Sequence, residues 1–518
     1  MQELETQVNI VPLRAAQQKG LAMIHTRTVV GISALPVVVE VHLANGLPAF
    51  STVGLPEAAV KESKDRVRGA ILNSGFEFPA KRITVNLSPA DIPKTGSRFD
   101  LPIAIGILAA SGQIPKDKLH AVELIGELAL DGQMRQVRGV LPTALACGKE
   151  SRHLIVPKGN ASEAALAELC ESRCAAHLLD VCEQLAGQRE LDVCLTDTDN
   201  IHAISYPDLV DVKGQLHAKR ALEIAATGGH SLIMVGPPGT GKSMLASRLP
   251  GILPELTTEE ALQAAAIQSV AAGQFIVDLW KQRPFRSPHH SASSVSLVGG
   301  GSNPKPGEIS MAHKGILFLD ELTEFSRATL EQLREPMESG KINITRAAHS
   351  VEYPAEFQLV TACNPCPCGY LGDGTDRCIC SANKVENYRA KLSGPMLDRI
   401  DMHVHLPRVD VKTLQSVGEG CENSLTIKQR VTKVRDFQSR RQAKLNCQLL
   451  TKELEQYCKL NKELLGFVEM VCEKLNMSAR GYHRVLKLAR TIADMEGEAD
   501  ILRPHVAEAL SYRSLDRR

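Results

Sequence analysis

An apolar segment that runs directly into a glycine-rich loop constrains the fold of this chain most strongly. The segment is Ser231–Val235, and the loop after it reads Gly236, Pro237, Pro238, Gly239, Thr240, Gly241, Lys242 and Ser243. Glycines let such a loop curl so that its N–H groups point at phosphates, while Lys242 reaches the β and γ phosphates and Ser243 ligates Mg²⁺. The order of strand, loop and helix makes a chance turn a poor alternative. The sequence therefore predicts an ATP-binding α/β core around a buried parallel sheet.

Two further apolar strands end in polar residues. One ends at Asp320 and Glu321, and the other ends at Asn364. We predict that Asp320 holds the Mg²⁺ shell, that Glu321 polarises the attacking water and that Asn364 orients it. Taken alone, an acidic pair after a strand is weak evidence, and Asn-Pro is typical of a turn. Beside a phosphate-binding loop, the three residues predict hydrolysis of ATP.

Arginines later in the chain are candidates for contacts with phosphate. Arg399 precedes the next apolar strand, where ring-forming ATPases project an arginine into the neighbouring subunit's site. The alternative is a structural ion pair with Asp398 or Asp401. Arg480 lies in the first turn of a basic amphipathic helix and could reach a γ-phosphate, with Arg484 as a competitor. For both, a solvated basic face is the alternative.

A cluster of cysteines follows Asn364 in two close pairs, which are Cys366, Cys368, Cys378 and Cys380. Four thiolates are the ligands that tetrahedral Zn²⁺ takes in structural sites, and the glycine-rich segment between the pairs can fold back to bring them together. The spacing within each pair is tighter than the usual Cys-x-x-Cys. The sequence therefore predicts a structural zinc site, with free thiols in an exposed loop as the alternative.

The pattern along the chain divides its 518 residues into segments that make a multidomain α/β protein. Strand-like runs occur at 28–32, 37–43 and 83–87, and helical runs occur at 57–74, 102–111 and 141–149. After 407 the pattern is almost wholly helical. The predicted segments are an extension at 1–22, an α+β domain at 23–187, a linker at 188–209, a phosphate-loop core at 210–406 and a helical lid at 407–518.

Composition limits the partners and the compartment. The formal net charge is +1, so any contact with nucleic acid must depend on locally concentrated positive charge. We find neither an apolar run of about 18 residues, as a membrane span needs, nor a secretory signal. The 14 cysteines are most simply explained as reduced thiols, which predicts a cytoplasmic protein.

The ordered motifs resemble those of an AAA+ ATPase module, and two inserts narrow the likeness. Residues 284–310 resemble the insert in helix 2, and residues 338–353 resemble the hairpin before the sensor strand. Both features belong to the branch that contains magnesium chelatase ATPase subunits and MCM helicases. From Met23 onward the chain resembles the ComM/YifB family, on phrases at 40–48, 53–57, 85–90 and 99–104. Sequences of that family usually begin near Met23, so we expect Met23 to be the natural start.

The resemblance implies a hexameric DNA motor that drives branch migration while transformed single-stranded DNA is integrated by recombination. The implied partners are further copies of this chain, single-stranded and branched DNA, and recombination proteins. Lys305 in the insert and Arg346 in the hairpin are the candidates for DNA contacts, although a single basic residue on a loop is often merely solvated. The alternative is a protein-remodelling motor of the magnesium-chelatase-subunit type.

The N-terminal domain resembles the Lon protease domain, which needs a nucleophilic serine and a lysine base. By alignment the serine position falls at Asp100 and the lysine position falls near Leu141, and neither side chain can do that chemistry. Ser97 and Lys94 lie close by in a predicted turn. We therefore expect a catalytically inactive domain that serves DNA binding or ring organisation.

Overall fold

The computed structural model consists of two compact units, each described here by itself. One comprises Met1–Asp197 with Ala272–Phe275, and the other comprises Thr198–Ala271 with Ile276–Arg518. The structure describes residues 20–196, 206–273, 275–301, 304–346, 349–410, 413, 422–475, 477–513 and 515. None of the helices within these ranges is long and apolar enough to cross a membrane. The units are coarser than the five predicted segments, whose boundaries stay predictions, and most of the predicted extension lies outside the described residues.

The first unit is built on an eight-stranded mixed sheet in the order β10-β9-β8-β5-β1-β2-β4-β3. Its strands, with the separate pair β6 and β7, are β1 (Leu21–Val30), β2 (Ser33–Ala44), β3 (Ala49–Val53), β4 (Arg82–Ser88), β5 (Val122–Leu124), β6 (Glu127–Leu128), β7 (Met134–Arg135), β8 (His153–Pro157), β9 (Ser172–Ala175) and β10 (Asp192–Val193). Its helices are α1 (Ala58–Lys61), α2 (Ser63–Asn73), α3 (Asp100–Ser111), α4 (Val140–Lys149), α5 (Ala161–Ala164) and α6 (Leu178–Ala186). Helix α3 is apolar from Leu101 to Ala110 and packs on β1 and β2, which places the core of the unit between them.

The strand-like and helical runs predicted for this unit are found, with two differences. Strand β1 begins earlier than the predicted run at 28–32 and ends before Gly31, where the chain turns with φ +62°. The helical run predicted at 57–74 is interrupted at Glu62 and forms α1 and α2. Hydrophobic periodicity detects the buried face of an element better than the residues at which the element begins, breaks or ends.

The two residues aligned with the Lon serine and lysine are both buried in this unit. Asp100 is fully buried at the start of α3 and pairs with Arg66 at 2.7 Å. Burial raises the pKa of Asp100 to about 6, although the Arg66 guanidinium opposes the rise. Leu141 is buried in α4, while Ser97 and Lys94 each bond to other residues. The likeness to the Lon fold itself stays a prediction.

The second unit contains the predicted parallel sheet, with five strands in the order β12-β15-β18-β11-β19. The strands of this unit are β11 (Leu232–Val235), β12 (Phe285–Arg286), β13 (Gly299–Gly300), β14 (Lys305–Pro306), β15 (Ile316–Leu319), β16 (Lys341–Arg346), β17 (His349–Pro354), β18 (Gln358–Cys363) and β19 (Met402–His405). All four residues of β11 and of β15 are buried, as the predicted apolar runs require. Strands β16 and β17 form the hairpin predicted within 338–353.

Helices surround this sheet and make up most of the described chain after 407. They are α7 (Leu216–Gly228), α8 (Lys242–Ala246), α9 (Leu249–Ile252), α10 (Thr258–Ala272), α11 (Ser294–Val298), α12 (Glu308–Met311), α13 (Arg327–Glu331), α14 (Arg334–Ser339), α15 (Ala382–Ala390), α16 (Gly394–Leu397), α17 (Ser424–Gln442), α18 (Thr451–Tyr457), α19 (Lys462–Lys474), α20 (Ala479–Glu496) and α21 (Arg503–Ser511). Helix α20 buries its apolar face against α7 and α21. The sheet and the C-terminal helices therefore share one hydrophobic core.

Candidate nucleotide-binding site

The glycine-rich loop at residues 236–243, hereafter the phosphate loop, follows the carboxyl end of β11. Gly241 has φ +88°, a conformation that favours glycine, and a Cβ there would meet no atom within 4 Å. The Lys242 Nζ donates hydrogen bonds to the carbonyl groups of Gly236 (2.7 Å) and Pro237 (2.9 Å) and to Oδ1 of Asn364 (3.1 Å). Burial lowers the pKa of Lys242, and the carboxylate of Asp320 opposes that shift. The ammonium group of Lys242 is therefore hydrogen-bonded to the start of its own loop and to the residue that follows β18.

The two groups predicted to serve Mg²⁺ lie side by side. The Ser243 hydroxyl donates to Oδ2 of Asp320 at 2.5 Å, although the residues are 77 positions apart in the sequence. They meet because β11 and β15 are parallel and end at the same edge of the sheet. A hydroxyl and a carboxylate oxygen are ligands that Mg²⁺ accepts, so the residues present fit that ion.

Glu321 has a partner that the sequence did not reveal. Its carboxylate lies 3.1 Å from Nδ1 of His290, and about half of its side chain is exposed. Its backbone has φ +51°, unusual for a residue with a side chain, and its N–H donates to Oδ1 of Asp320. Arg286, which lies in the same insert as His290, pairs with Glu308 at 2.6 Å. Nothing in the spacing of His290 pointed to Glu321.

Arg399 and Arg480 converge on a carboxylate of helix α14. Oε1 of Glu338 lies 2.7 Å from Nη2 of Arg399 and 3.4 Å from Nη2 of Arg480. Arg399 therefore pairs with Glu338 and not with Asp398 or Asp401, which the sequence offered as the alternative to a contact with phosphate. The Arg399 Nε is buried and has no hydrogen-bond partner among the described residues, and such a donor costs about 1–3 kcal/mol. Arg480 is more than half exposed.

Arg484, the competitor of Arg480, is held in an ion pair with Asp401. Burial by itself would raise the pKa of Asp401, but Arg484 and the nearby His230 outweigh it and hold that pKa well below its usual range. The same carboxylate accepts the N–H of Ser231 at 2.9 Å. The Asp401–Arg484 pair therefore ties helix α20 to the sheet.

The two groups of polar residues lie at opposite ends of the parallel strands, which are called here the carboxyl edge and the amino edge of the sheet. The phosphate loop, Asp320 and Asn364 follow the carboxyl ends of their strands, whereas Arg399 precedes the amino end of β19. Strand β11 separates the two edges with four residues, or about 13 Å at the usual rise. The structure thus brings Lys242, Ser243, Asp320 and Asn364 together at one edge, and Arg399 and Arg480 together at the other.

The four cysteines predicted to bind a metal form one cluster. Their Sγ atoms all lie within 4.8 Å of one another, and Cys366 is fully buried. The separations are 3.4 Å for Cys366–Cys368, 3.8 Å for Cys366–Cys378 and 3.7 Å for Cys368–Cys378. Sulfur atoms about 2.3 Å from a central ion form a tetrahedron with edges of about 3.8 Å. The cluster could therefore hold a metal ion.

The candidate DNA-contact residues lie in two neighbouring features. Lys305 is exposed on β14, which pairs with β13 inside the insert. Arg346 ends β16 opposite His349, and its side chain lies outside the described residues. The Tyr353 hydroxyl at the base of the hairpin donates to the Pro304 carbonyl at 2.8 Å. The insert and the hairpin are therefore fastened to each other.

Comparison with known proteins agrees with this fold and site. The family model "Magnesium chelatase, subunit ChlI" matches residues 208–414, "Subunit ChlI of Mg-chelatase" matches 39–160, and the ChlI C-terminal model matches 421–513. Together with the parallel sheet and phosphate loop, they define an ATPase of the Mg-chelatase-like AAA+ class, which uses ATP and Mg²⁺.

Relatives identify the family more closely. The chain is 50% identical over 503 residues to competence protein ComM of Haemophilus influenzae. The alignment covers 96% of this chain and 98% of that protein. It is 49% identical over 498 residues to YifB of Escherichia coli, with the same coverage. The magnesium-chelatase 67 kDa subunit of Chlorobaculum parvum is 29% identical over 159 residues, 30% of this chain and 23% of that protein. The chain belongs to the ComM/YifB family.

Proposed function

We propose that this chain is an ATP-dependent, ring-forming DNA motor, a helicase that promotes branch migration during recombination of transformed DNA. The observation that carries the proposal is the 50% identity, over nearly the whole of both chains, to a protein named for competence. The insert with Lys305 and the hairpin with Arg346 supply basic loops for sequence-independent contacts with phosphates. Recombination proteins are the further partners we expect.

Each polar residue at the carboxyl edge of the sheet has its own role in hydrolysis. Mg²⁺ bound with ATP would supply neutralisation of charge on the β and γ phosphates. Ser243 and Asp320 are the residues that would hold the ion. When ATP binds, the Lys242 ammonium group exchanges its hydrogen bonds with backbone carbonyls for hydrogen bonds with phosphate oxygens. Asn364 orients the attacking water, and Glu321 accepts its proton. In this proposal Glu321 exchanges His290 for water during the cycle.

Arg399 and Arg480 act on the nucleotide of a neighbouring subunit. They lie near the sheet edge opposite their own phosphate loop, and both contact Glu338. The Nε of Arg399 has no hydrogen-bond partner in the described part of the chain, which supports a role that the isolated subunit leaves unfulfilled. A closed ring places the same surface of every subunit against the next subunit's site, so a hexamer makes hydrolysis depend on assembly.

DNA should stimulate the ATPase if this proposal is correct. We expect single-stranded and branched DNA to raise the rate of phosphate release, and we expect ATP-dependent unwinding of forked, three-way and four-way substrates. Stimulation should fall steeply with added salt, because contacts with phosphates release counterions. The measurements are steady-state phosphate release and a gel or fluorescence assay of strand separation, with Lys242→Ala as the control for ATP dependence.

An ATPase that no DNA stimulates, in a protein that unwinds none of these substrates, would overturn the DNA motor. It would favour the alternative, a motor that remodels a partner protein. The observation on that side is the match to the magnesium chelatase family models.

We also propose that the ion held by Cys366, Cys368, Cys378 and Cys380 is a structural Zn²⁺. The sulfur separations support it, as does a donor set of four thiolates with no position left for water. Purified protein should contain one Zn²⁺ per chain, and the variant with Cys378→Ser and Cys380→Ser should contain none. Replacement of Cys472 by serine, outside the cluster, is the control. Elemental analysis that finds no zinc in the unaltered protein rules the site out.

A further inference from the structure

The segment that carries the first pair of cysteines packs against the phosphate loop. Gly369, which follows the first pair of cysteines, has φ +85°, and a Cβ built on it would lie 2.9 Å from Cδ of Pro238. The same Cβ would lie 3.8 Å from Cγ of Asn364. The backbone at Gly369 therefore packs closely against the middle of the phosphate loop, with no room for a side chain.

The segment that carries the cluster is joined to the phosphate loop at two more points. The N–H of Gly236 donates to the Cys363 carbonyl at 3.3 Å, and Nζ of Lys242 donates to Asn364 at 3.1 Å. Residues 363–369 thus run from strand β18, past Asn364 and two of the cysteines, to the contact with Pro238. A bond that fixes the position of residues 366–369 therefore also fixes the surface against which the phosphate loop packs.

The turn between the two cysteine pairs is organised by its own side chains. Asp373 accepts the backbone N–H of Thr375 at 2.8 Å and pairs with Arg377 at 3.1 Å. The guanidinium of Arg377 lies 4.6 Å from the ring centre of Tyr370. These contacts link residues 370–377, between the two pairs of cysteines, and none of them involves the phosphate loop. Metal–sulfur bonds would join the cysteines before this turn, Cys366 and Cys368, to those after it, Cys378 and Cys380.

We propose that the metal-bound cysteine cluster supports the phosphate loop, so that affinity for the nucleotide depends on the metal. The inference rests on the proposed Zn²⁺ site and assigns it a task in the ATPase. With the ion bound, Cys366 and Cys368 are fixed and Gly369 presses on Pro238. Without it, residues 366–380 lose their cross-link, and Pro238 and Asn364 lose the backing that sets their positions relative to Lys242.

Two glycines of the same turn allow a matched test. Gly369→Ala should keep the metal, because residue 369 is not a ligand, yet weaken binding of a fluorescent ATP analogue about tenfold or more, since small displacements in such sites are costly. Gly372→Ala carries the same backbone strain, with φ +77°, but its Cβ would meet nothing within 4 Å. We expect that variant to keep both the metal and the nucleotide affinity. Zinc content, thermal unfolding and the dissociation constant are measured for each.

A second arm avoids substitution altogether. A chelator that removes Zn²⁺ but leaves Mg²⁺ should weaken nucleotide binding to the full-length protein, and added Zn²⁺ should restore it. Co²⁺ placed in the cluster should show the visible bands of a tetrahedral thiolate site, and these bands should shift when ADP is added. The shift reports contact between the two sites without any measurement of turnover.

The outcomes separate the two proposals. If the unaltered protein holds no zinc and gives no thiolate–cobalt spectrum, the metal site itself is wrong. If it holds zinc, but the stripped protein and Gly369→Ala both bind nucleotide as tightly as Gly372→Ala, the cluster is a local staple and its coupling to the phosphate loop is overturned.

Discussion

Replacement of Glu321 by glutamine is expected to leave ATP binding intact and to slow hydrolysis about 10²–10⁴-fold. Glutamine keeps the size of the side chain and its capacity to accept a hydrogen bond, but it cannot take a proton from water. Glu321 is about half exposed, so the change should not affect folding. Binding of a fluorescent ATP analogue and single-turnover phosphate release separate the two effects.

Two neighbouring variants make this result specific. Glu324→Gln removes an exposed carboxylate three residues further on, which lies 3.7 Å from Lys391, and should hydrolyse ATP normally. Lys242→Ala should fail at the earlier step and bind ATP poorly, because Lys242 is the ammonium group of the phosphate loop. If Glu321→Gln turns ATP over at the unaltered rate, the catalytic base lies elsewhere.

Much of the candidate nucleotide-binding site could be predicted from the sequence because its geometry follows from the sheet. Parallel strands end at a common edge, so polar residues after successive apolar runs must meet there. Asp320 and Ser243 are 77 positions apart and still form a hydrogen bond for this reason. The cysteine cluster could also be predicted, because only residues 369–377 separate the two close pairs and this short glycine-containing connection can fold back on itself. The roles assigned to these residues stay predictions.

The partners of the charged residues could not be predicted in this way. Sequence proximity suggested Asp398 or Asp401 for Arg399, yet the structure pairs it with Glu338, which lies on helix α14. Many exposed glutamates have the same local pattern, and the tertiary fold alone decides which one meets an arginine. His290 is a similar case, since its contact with Glu321 depends on how the insert folds back over the sheet edge. Ion pairs between residues far apart in the chain leave no periodic signal in a sequence.

Replacement of Arg399 by alanine is expected to have the other large effect, a loss of about 10³-fold in ATP turnover with binding retained. The reason is that the guanidinium would stabilise charge on the phosphoryl group bound by the next subunit. Arg399 is largely buried and pairs with Glu338, so thermal unfolding must be compared as well. Arg399→Lys keeps the charge and serves if the alanine variant does not fold. Arg389→Ala, an exposed arginine on α15, is the control.

A mixing experiment then distinguishes a shared site from a merely structural arginine. Arg399→Ala subunits keep Lys242 and Glu321, whereas Glu321→Gln subunits keep Arg399. In a mixed ring, some interfaces place an intact Arg399 against an intact site, so two silent proteins should regain ATPase activity when combined. An arginine that only braces its own subunit through Glu338 cannot be rescued by a neighbour. Mixtures that stay silent while still forming rings, or an Arg399→Ala protein with full activity, would therefore contradict the shared site.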